Sequence, residues 1–185
     1  MLDKIYGEAE AAMKRSIEHL HKELSTLRTG KATPALLEGI TVEAYGARMP
    51  LNQLATLAAP EPRLLTVTPF DGSQIGAIEK ALLSSDLGIT PNNDGHIIRL
   101  PIPPLNEERR KEFAKMARQK GEDAKVSIRT SRRDANEALK KAESSSDITE
   151  DDLHRGQDRV QKLTDEFTAQ VDKILEAKEK DILEV

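Results

Sequence analysis

A chain of 185 residues with a formal charge of −4, 32% charged residues and only 3% aromatic ones is long enough to bury one or two hydrophobic cores, yet its overall charge gives no sign of a nucleic-acid binder. The absence of cysteine and tryptophan excludes disulfides and thiolate metal sites, suits a reducing compartment, and makes base stacking a poor route to any nucleic-acid contact. No run approaches the ~18 apolar residues of a membrane span, and the opening MLDKIYGEAEAAMKRS is charged from Asp3 onward, so a cytoplasmic protein with no membrane partner is expected.

In chain order, residues 3–28 repeat Met13, Ile17, Leu20, Leu24 and Leu27 at intervals of four and three, the seam of a helix that packs in a bundle. Thr29 and Gly30 are expected to end it, glycine supplying the left-handed conformation of a helix terminus. Arg28 and Lys31 flank that end, where a cation also complements the helix dipole.

From Lys31 to Pro104 prolines and glycines gather and long helical periodicity vanishes. GITVEAYG alternates Ile40, Val42 and Ala44 inward like a half-buried strand, with Gly46 turning the chain. PLNQLATLAAPEPR reads as a short apolar segment closed by Pro60 and Pro62. RLLTVTPF reads as another strand, after which Asp71 can cap a helix whose inner face is Ile75, Ile78 and Leu82, with Gly88 at its stop. PNNDG marks a turn and HIIRLPIPP a last strand that leaves through prolines. A small sheet with one main helix is expected. Asp71, Asp86, Asp94 and His96 invite a catalytic reading, but turns and caps favour Asp for local hydrogen bonds. No phosphate-binding glycine loop, nucleophile elbow or paired-histidine zinc motif occurs, so no catalytic residue, metal or cofactor is expected.

The stretch Leu105–Ala142 contains no proline, and only Gly121 weakens it. It makes about ten turns of one helix. Phe113, Met116, Ala117, Ala124, Ile128, Ala135 and Leu139 share an apolar face. Lys111, Lys115, Arg118, Lys125, Arg129, Arg132, Arg133 and Lys140 fall within roughly 100° of one another and form a cationic stripe. Exposed helices usually intersperse acids and bases; here only Glu122 breaks the row. By segment, residues 1–104 carry 10 basic and 12 acidic side chains, residues 105–142 carry 12 and 7, and residues 143–185 carry 6 and 13. The positive charge is therefore concentrated on one rod, which fits docking on a polyanion through phosphates as well as it fits a solvated face. After a polar turn, Thr149 stands three residues before Asp152 as a near capping box, and Val160, Leu163, Phe167, Val171 and Ile174 mark a last helix. The acids Glu150, Asp151 and Asp152 suit its first turn.

Three long amphipathic helices, one before the middle region and two after it, satisfy one another as an antiparallel three-helix bundle of residues 1–30 and 105–185. Residues 31–104 are then an inserted domain. The two crossings, Thr29, Gly30 and Lys31 on one side and Pro103, Pro104 and Leu105 on the other, make a two-strand hinge. The class is α+β.

LRTGKATPALLEGITVEAYG, PLNQLA, SDLGITPN, PPLNEERRK, VSIRTSRRDAN and QDRVQKLTDEF resemble, nearly end to end, the bacterial ribosome recycling factors. The resemblance implies an L-shaped molecule with an inserted β/α/β domain on a flexible hinge. It also implies a factor that binds the post-termination ribosome and, with elongation factor G and that partner's GTP hydrolysis, splits the subunits. It implies rRNA contacts by Arg28, Arg110, Arg129, Arg132 and Arg133, all on large-subunit RNA. Lys31 stands where the family usually has Arg and can neutralise a phosphate without the bidentate fork. The family usually has an aromatic where Ala44 stands and Thr where Asn106 caps the long helix; Asn caps as well. With the stripe residues Lys115, Arg118 and Lys125, these form the expected rRNA-binding set of a monomeric, non-enzymatic factor. Two other readings remain at this point: a scaffold that binds another protein through its acidic last helix, and an enzyme with a site in residues 31–104.

Overall fold

Alternation of apolar residues every three or four positions forces the three long segments into helices, and a computed structural model, describing residues 1–27 and 29–183, places them as α1 (Leu2–Ser25), α3 (Glu107–Ser144) and α4 (Glu150–Leu183). The shorter α2 (Ile75–Ser84) belongs to the stretch between α1 and α3. The chain divides into two compact units, one formed by Met1–Leu27 with Lys111–Leu183 and the other by the described residues between them. No helix among the described residues is long and apolar enough to cross a membrane.

In the helical unit, Ser16 and Ser127 share a hydrogen bond of 2.7 Å, and Lys120 pairs with Glu23, so α1 and α3 run antiparallel. Arg118 meets Glu179 and Lys125 meets Asp172, so α3 and α4 run antiparallel too. Met13, Leu20, Ile128, Val171 and Ile182 are buried in one core cluster, and Ile5, Ala9, Leu139 and Val160 in a second. α1 stops at Ser25, earlier than Thr29, with Thr26 still right-handed; the left-handed residue is Gly30, at φ +79°. Met116, expected in the core, is 41% exposed, and Ala114 and Gly121 take that face instead. A methyl group at Gly121 would collide with Leu175 of α4, so what reads as a weak point in the sequence is a close approach of two helices. Asn106 caps α3 by accepting from the Arg109 amide at 2.8 Å. Thr149 and Asp152 cap α4 reciprocally, each side chain accepting from the other's amide at 3.1 Å.

The second unit has a two-stranded sheet, β1 (Thr41–Ala44) with β2 (Ala47–Pro50), and a four-stranded antiparallel sheet of β3 (Ala55–Glu61), β4 (Leu64–Pro69), β5 (Asn92–Asn93) and β6 (Ile98–Pro101) in the order β3-β4-β6-β5. Val42 and Ala44 point inward as their alternation requires. Tyr45 and Gly46, with φ of 52° and 76°, make the tight turn to β2. The segment ATLAAPE forms β3, paired from Ala55 to Ala58 and again at Glu61 beyond Pro60, where the sequence reads as a shorter apolar piece closed by prolines. Proline is tolerated because β3 lies at the sheet's margin and its pairing shifts register between Ala58 and Glu61. Asp71 caps a 3₁₀ turn leading into α2, whose Ile78 and Leu82 pack on Leu65, Val67, Ile98 and Leu100.

Candidate polyanion interface

The cations of α3 divide by angle. At about 100° per residue, Arg118, Lys125 and Arg132 lie roughly 40–80° from the centre of the apolar face, and Lys111, Lys115, Arg129, Arg133 and Lys140 lie roughly 100–140° from it. The first three form a seam row beside α4. Arg118 Nε donates to Glu179 Oε1 at 2.6 Å, Lys125 Nζ stands 2.7 Å from Asp172 Oδ1, and Arg132 Nη1 donates to Gln161 Oε1 at 3.2 Å. Lys125 also has Glu122 at 4.0 Å.

The outer row differs in chemistry. Lys115, Arg129 and Lys140 are exposed, and among the described residues they have no carboxylate partner. Arg133 has, among the described residues, Asp134 at 4.0 Å as its one carboxylate partner, with both side chains largely exposed. An exposed pair at that distance contributes little and leaves the cation available. The stripe is thus partly neutralised from within the molecule and partly open to solvent.

The remaining expected contacts are placed as follows. Arg110 is half-buried in the first turn of α3. Lys31 is exposed, and its amide donates to Thr29 Oγ1 at 3.3 Å. Arg28 lies outside the described residues. Of the hinge set, Gly30 approaches Leu105 closely: a Cβ on Gly30 would stand 3.6 Å from Leu105 Cγ. Thr29 is half-buried, and Pro103 and Pro104 are exposed.

The acids that invited a catalytic reading are engaged in local structure. Asp94 Oδ1 accepts from the His96 and Ile97 amides at 2.9 and 2.8 Å, and Oδ2 accepts from Arg99 at 2.6 Å. The Ile97 amide foremost, then Arg99 and the His96 amide, hold the Asp94 carboxyl far below its usual range. Asp71 accepts from the Tyr45 hydroxyl at 2.6 Å and from Ser73, which lowers its pKa and raises that of Tyr45. Among the described residues no group of three or more His, Asp or Glu side chains converges as metal ligands would. Reading α3 alone missed Gln161, Asp172 and Glu179. A signal for two of them exists in the chain: Asp172 and Glu179 are seven apart, as are Arg118 and Lys125, which matches when the helices are laid antiparallel.

The family model for ribosome recycling factor matches residues 20–183. A ribosome-recycling factor of Carboxydothermus hydrogenoformans is 57% identical over 185 residues, covering the whole of both chains. One of Bacillus licheniformis is 50% identical over the same length, again covering both chains fully. Among solved structures, a ribosome recycling factor in solution superposes with a TM-score of 0.79 at 40% identity, covering 100% of this chain and 98% of that one. Another match, at a TM-score of 0.69 and 46% identity with full coverage of both chains, comes from models of the T. thermophilus ribosome recycling factor and the E. coli elongation factor G bound to the E. coli post-termination complex.

Proposed function

The chain belongs to the ribosome recycling factor family, and from that premise we propose that its helical unit anchors on large-subunit rRNA through the outer face of α3 while the sheet unit is moved by elongation factor G. The observation that carries this reading is the row of Lys115, Arg129 and Lys140, exposed and without a carboxylate partner among the described residues, in a protein whose net charge is negative. Local positive charge on a net acidic molecule steers it to a polyanion in one orientation. Arg28, Lys31, Arg110, Arg132 and Arg133 belong to the same contact set. Arg118 and Lys125 join it only by exchanging Glu179 and Asp172 for phosphate. With aromatic residues at 3%, phosphate contacts dominate over base stacking.

The domains of this reading are residues 1–30 with 105–185 and residues 31–104, and the hinge is the pair of crossings at Thr29, Gly30, Lys31 and Pro103, Pro104, Leu105. The two successive prolines restrict one crossing to few conformers, while Gly30, at φ +79°, leaves the other able to turn, which suits a pivot at a fixed place in the chain. The factor works by differential binding: elongation factor G selects a position of the sheet unit that joined subunits do not accommodate, and that partner's GTP hydrolysis supplies the energy. No residue of this chain performs covalent chemistry, and the factor acts as a monomer in the cytoplasm.

Cosedimentation with ribosomes across a salt series tests it. Arg129→Ala is expected to weaken binding about tenfold, the scale of one charge-assisted contact, and to reduce the slope of log affinity against log salt by about one. Helicity and melting should not change, since Arg129 is exposed. Binding equal to wild type at every salt concentration would refute the anchoring role of this face.

A further inference from the structure

The seam row of α3 meets three residues of α4, and only two of them are acids. Glu179 and Asp172 neutralise Arg118 and Lys125. At the third place stands Gln161, whose Oε1 accepts from Arg132 Nη1 at 3.2 Å. An amide oxygen holds a guanidinium by hydrogen bonding without cancelling its charge, whereas a carboxylate does both.

The amide has two ends that differ in chemistry, and the structure fixes which one faces α3. Gln161 Nε2 donates to Asp165 Oδ1 at 2.9 Å, one turn further along α4. That bond commits the NH2 group to Asp165 and leaves the carbonyl oxygen for Arg132. Asp165 is thereby kept one amide away from the guanidinium instead of pairing with it. Among the described residues the Arg132 side chain has no other hydrogen bond or ion pair. Its remaining N–H donors are uncommitted, and the contact lies at the exposed surface beside α4, so the bond to Gln161 orients the group while its charge is intact.

From this geometry we infer that Gln161, oriented by Asp165, is a positioning residue that pre-sets the Arg132 guanidinium for a phosphate, and that α4 thereby decides which cation of the seam row remains available to RNA. The inference rests on the anchoring role proposed above for the α3 face. Ordering a long cationic side chain before binding removes part of the conformational entropy otherwise lost in the complex. A neutral partner achieves that without competing against the phosphate.

The test is a double-mutant cycle on ribosome binding over a salt series, with Gln161→Leu, Arg132→Ala, the pair together, and Gln161→Glu as the charge control. Arg132→Ala is expected to lose about tenfold in affinity and about one in salt slope. Gln161→Leu is expected to lose roughly three- to fivefold, the order of one ordered side chain's entropy, with the slope unchanged because no charge is lost. The pair should bind no worse than Arg132→Ala alone. Gln161→Glu keeps the hydrogen bond but neutralises the cation, so it should fall toward Arg132→Ala in both affinity and slope. Additive losses, wild-type binding by Gln161→Leu, or wild-type slope and affinity in Gln161→Glu would each overturn the positioning role while leaving the anchoring face standing. Wild-type binding by Arg132→Ala would likewise overturn the positioning role, while the anchoring face is judged separately by Arg129→Ala. Gln161 is exposed and Arg132 half-buried on the bundle's surface, and circular dichroism checks that each variant keeps its helices.

Discussion

Gly121 illustrates how a single residue can run against its local preference for the sake of packing. Glycine inside a helix costs about 1 kcal/mol relative to alanine, yet a methyl here would collide with the Leu175 side chain. Gly121→Ala is therefore expected to lower the melting temperature in spite of its better helix propensity, with overpacking costing about 1–3 kcal/mol. Combined with Leu175→Ala, the loss should be smaller than the two single losses added, because the truncated side chain makes room. At this scale the sequence was legible where periodicity alone decides: Met13, Leu20, Ile128 and Val171 are buried as their spacing requires. Met116 reads as a core residue but is exposed, because the buried face also runs through Ala114 and Gly121, whose weak hydrophobicity hides their part in it. Asp94 and His96 show the converse, a suggestive pair whose carboxylate is spent on amides of its own turn.

At the scale of elements, that turn makes the β5–β6 junction sensitive to acid. The Asp94 carboxyl has its pKa lowered by the Ile97 amide, Arg99 and the His96 amide. A lowered carboxylate contributes stability that is fully present above its ordinary value near ~4 and is lost as pH falls through the folded value. Asp94→Ala should accordingly lower the unfolding midpoint of the sheet unit at pH 6, and the gap from wild type should shrink as the pH is taken below about 4. A gap independent of pH would show that the carboxylate's charge is irrelevant to this turn. The elements themselves were readable to different degrees. Helices α3 and α4 announced themselves through length, Asn106 and the reciprocal Thr149 and Asp152 cap. Strand β2 and the full extent of β3 did not, since Ala47–Pro50 has no buried alternation and Pro60 argues locally against a strand that only a marginal position in the sheet permits. The division of the α3 stripe was also hidden, because it depends on the register of α3 against α4 and no single helix carries that information.

Across the whole molecule, each unit carries its own hydrophobic core: Leu65, Val67, Ile78 and Ile98 in one, and Met13, Leu20, Ile128 and Val171 in the other. Leu65→Ala, at a fully buried site, is expected to cost about 2–5 kcal/mol and to fall on the sheet unit alone. Hydrogen exchange should then show faster amides in β4 and β6 with those of α3 and α4 unchanged, and ribosome affinity in the absence of elongation factor G should stay at the wild-type level. Loss of protection in both units together would show that they unfold as one. The outer strand β3 has a further bearing on how the factor survives its surroundings. Proline within it supplies no amide hydrogen, and the ladder breaks register just there, so a stray polypeptide finds no continuous rail to zip along. Such a blunted border keeps the sheet unit from offering a template for β-aggregation.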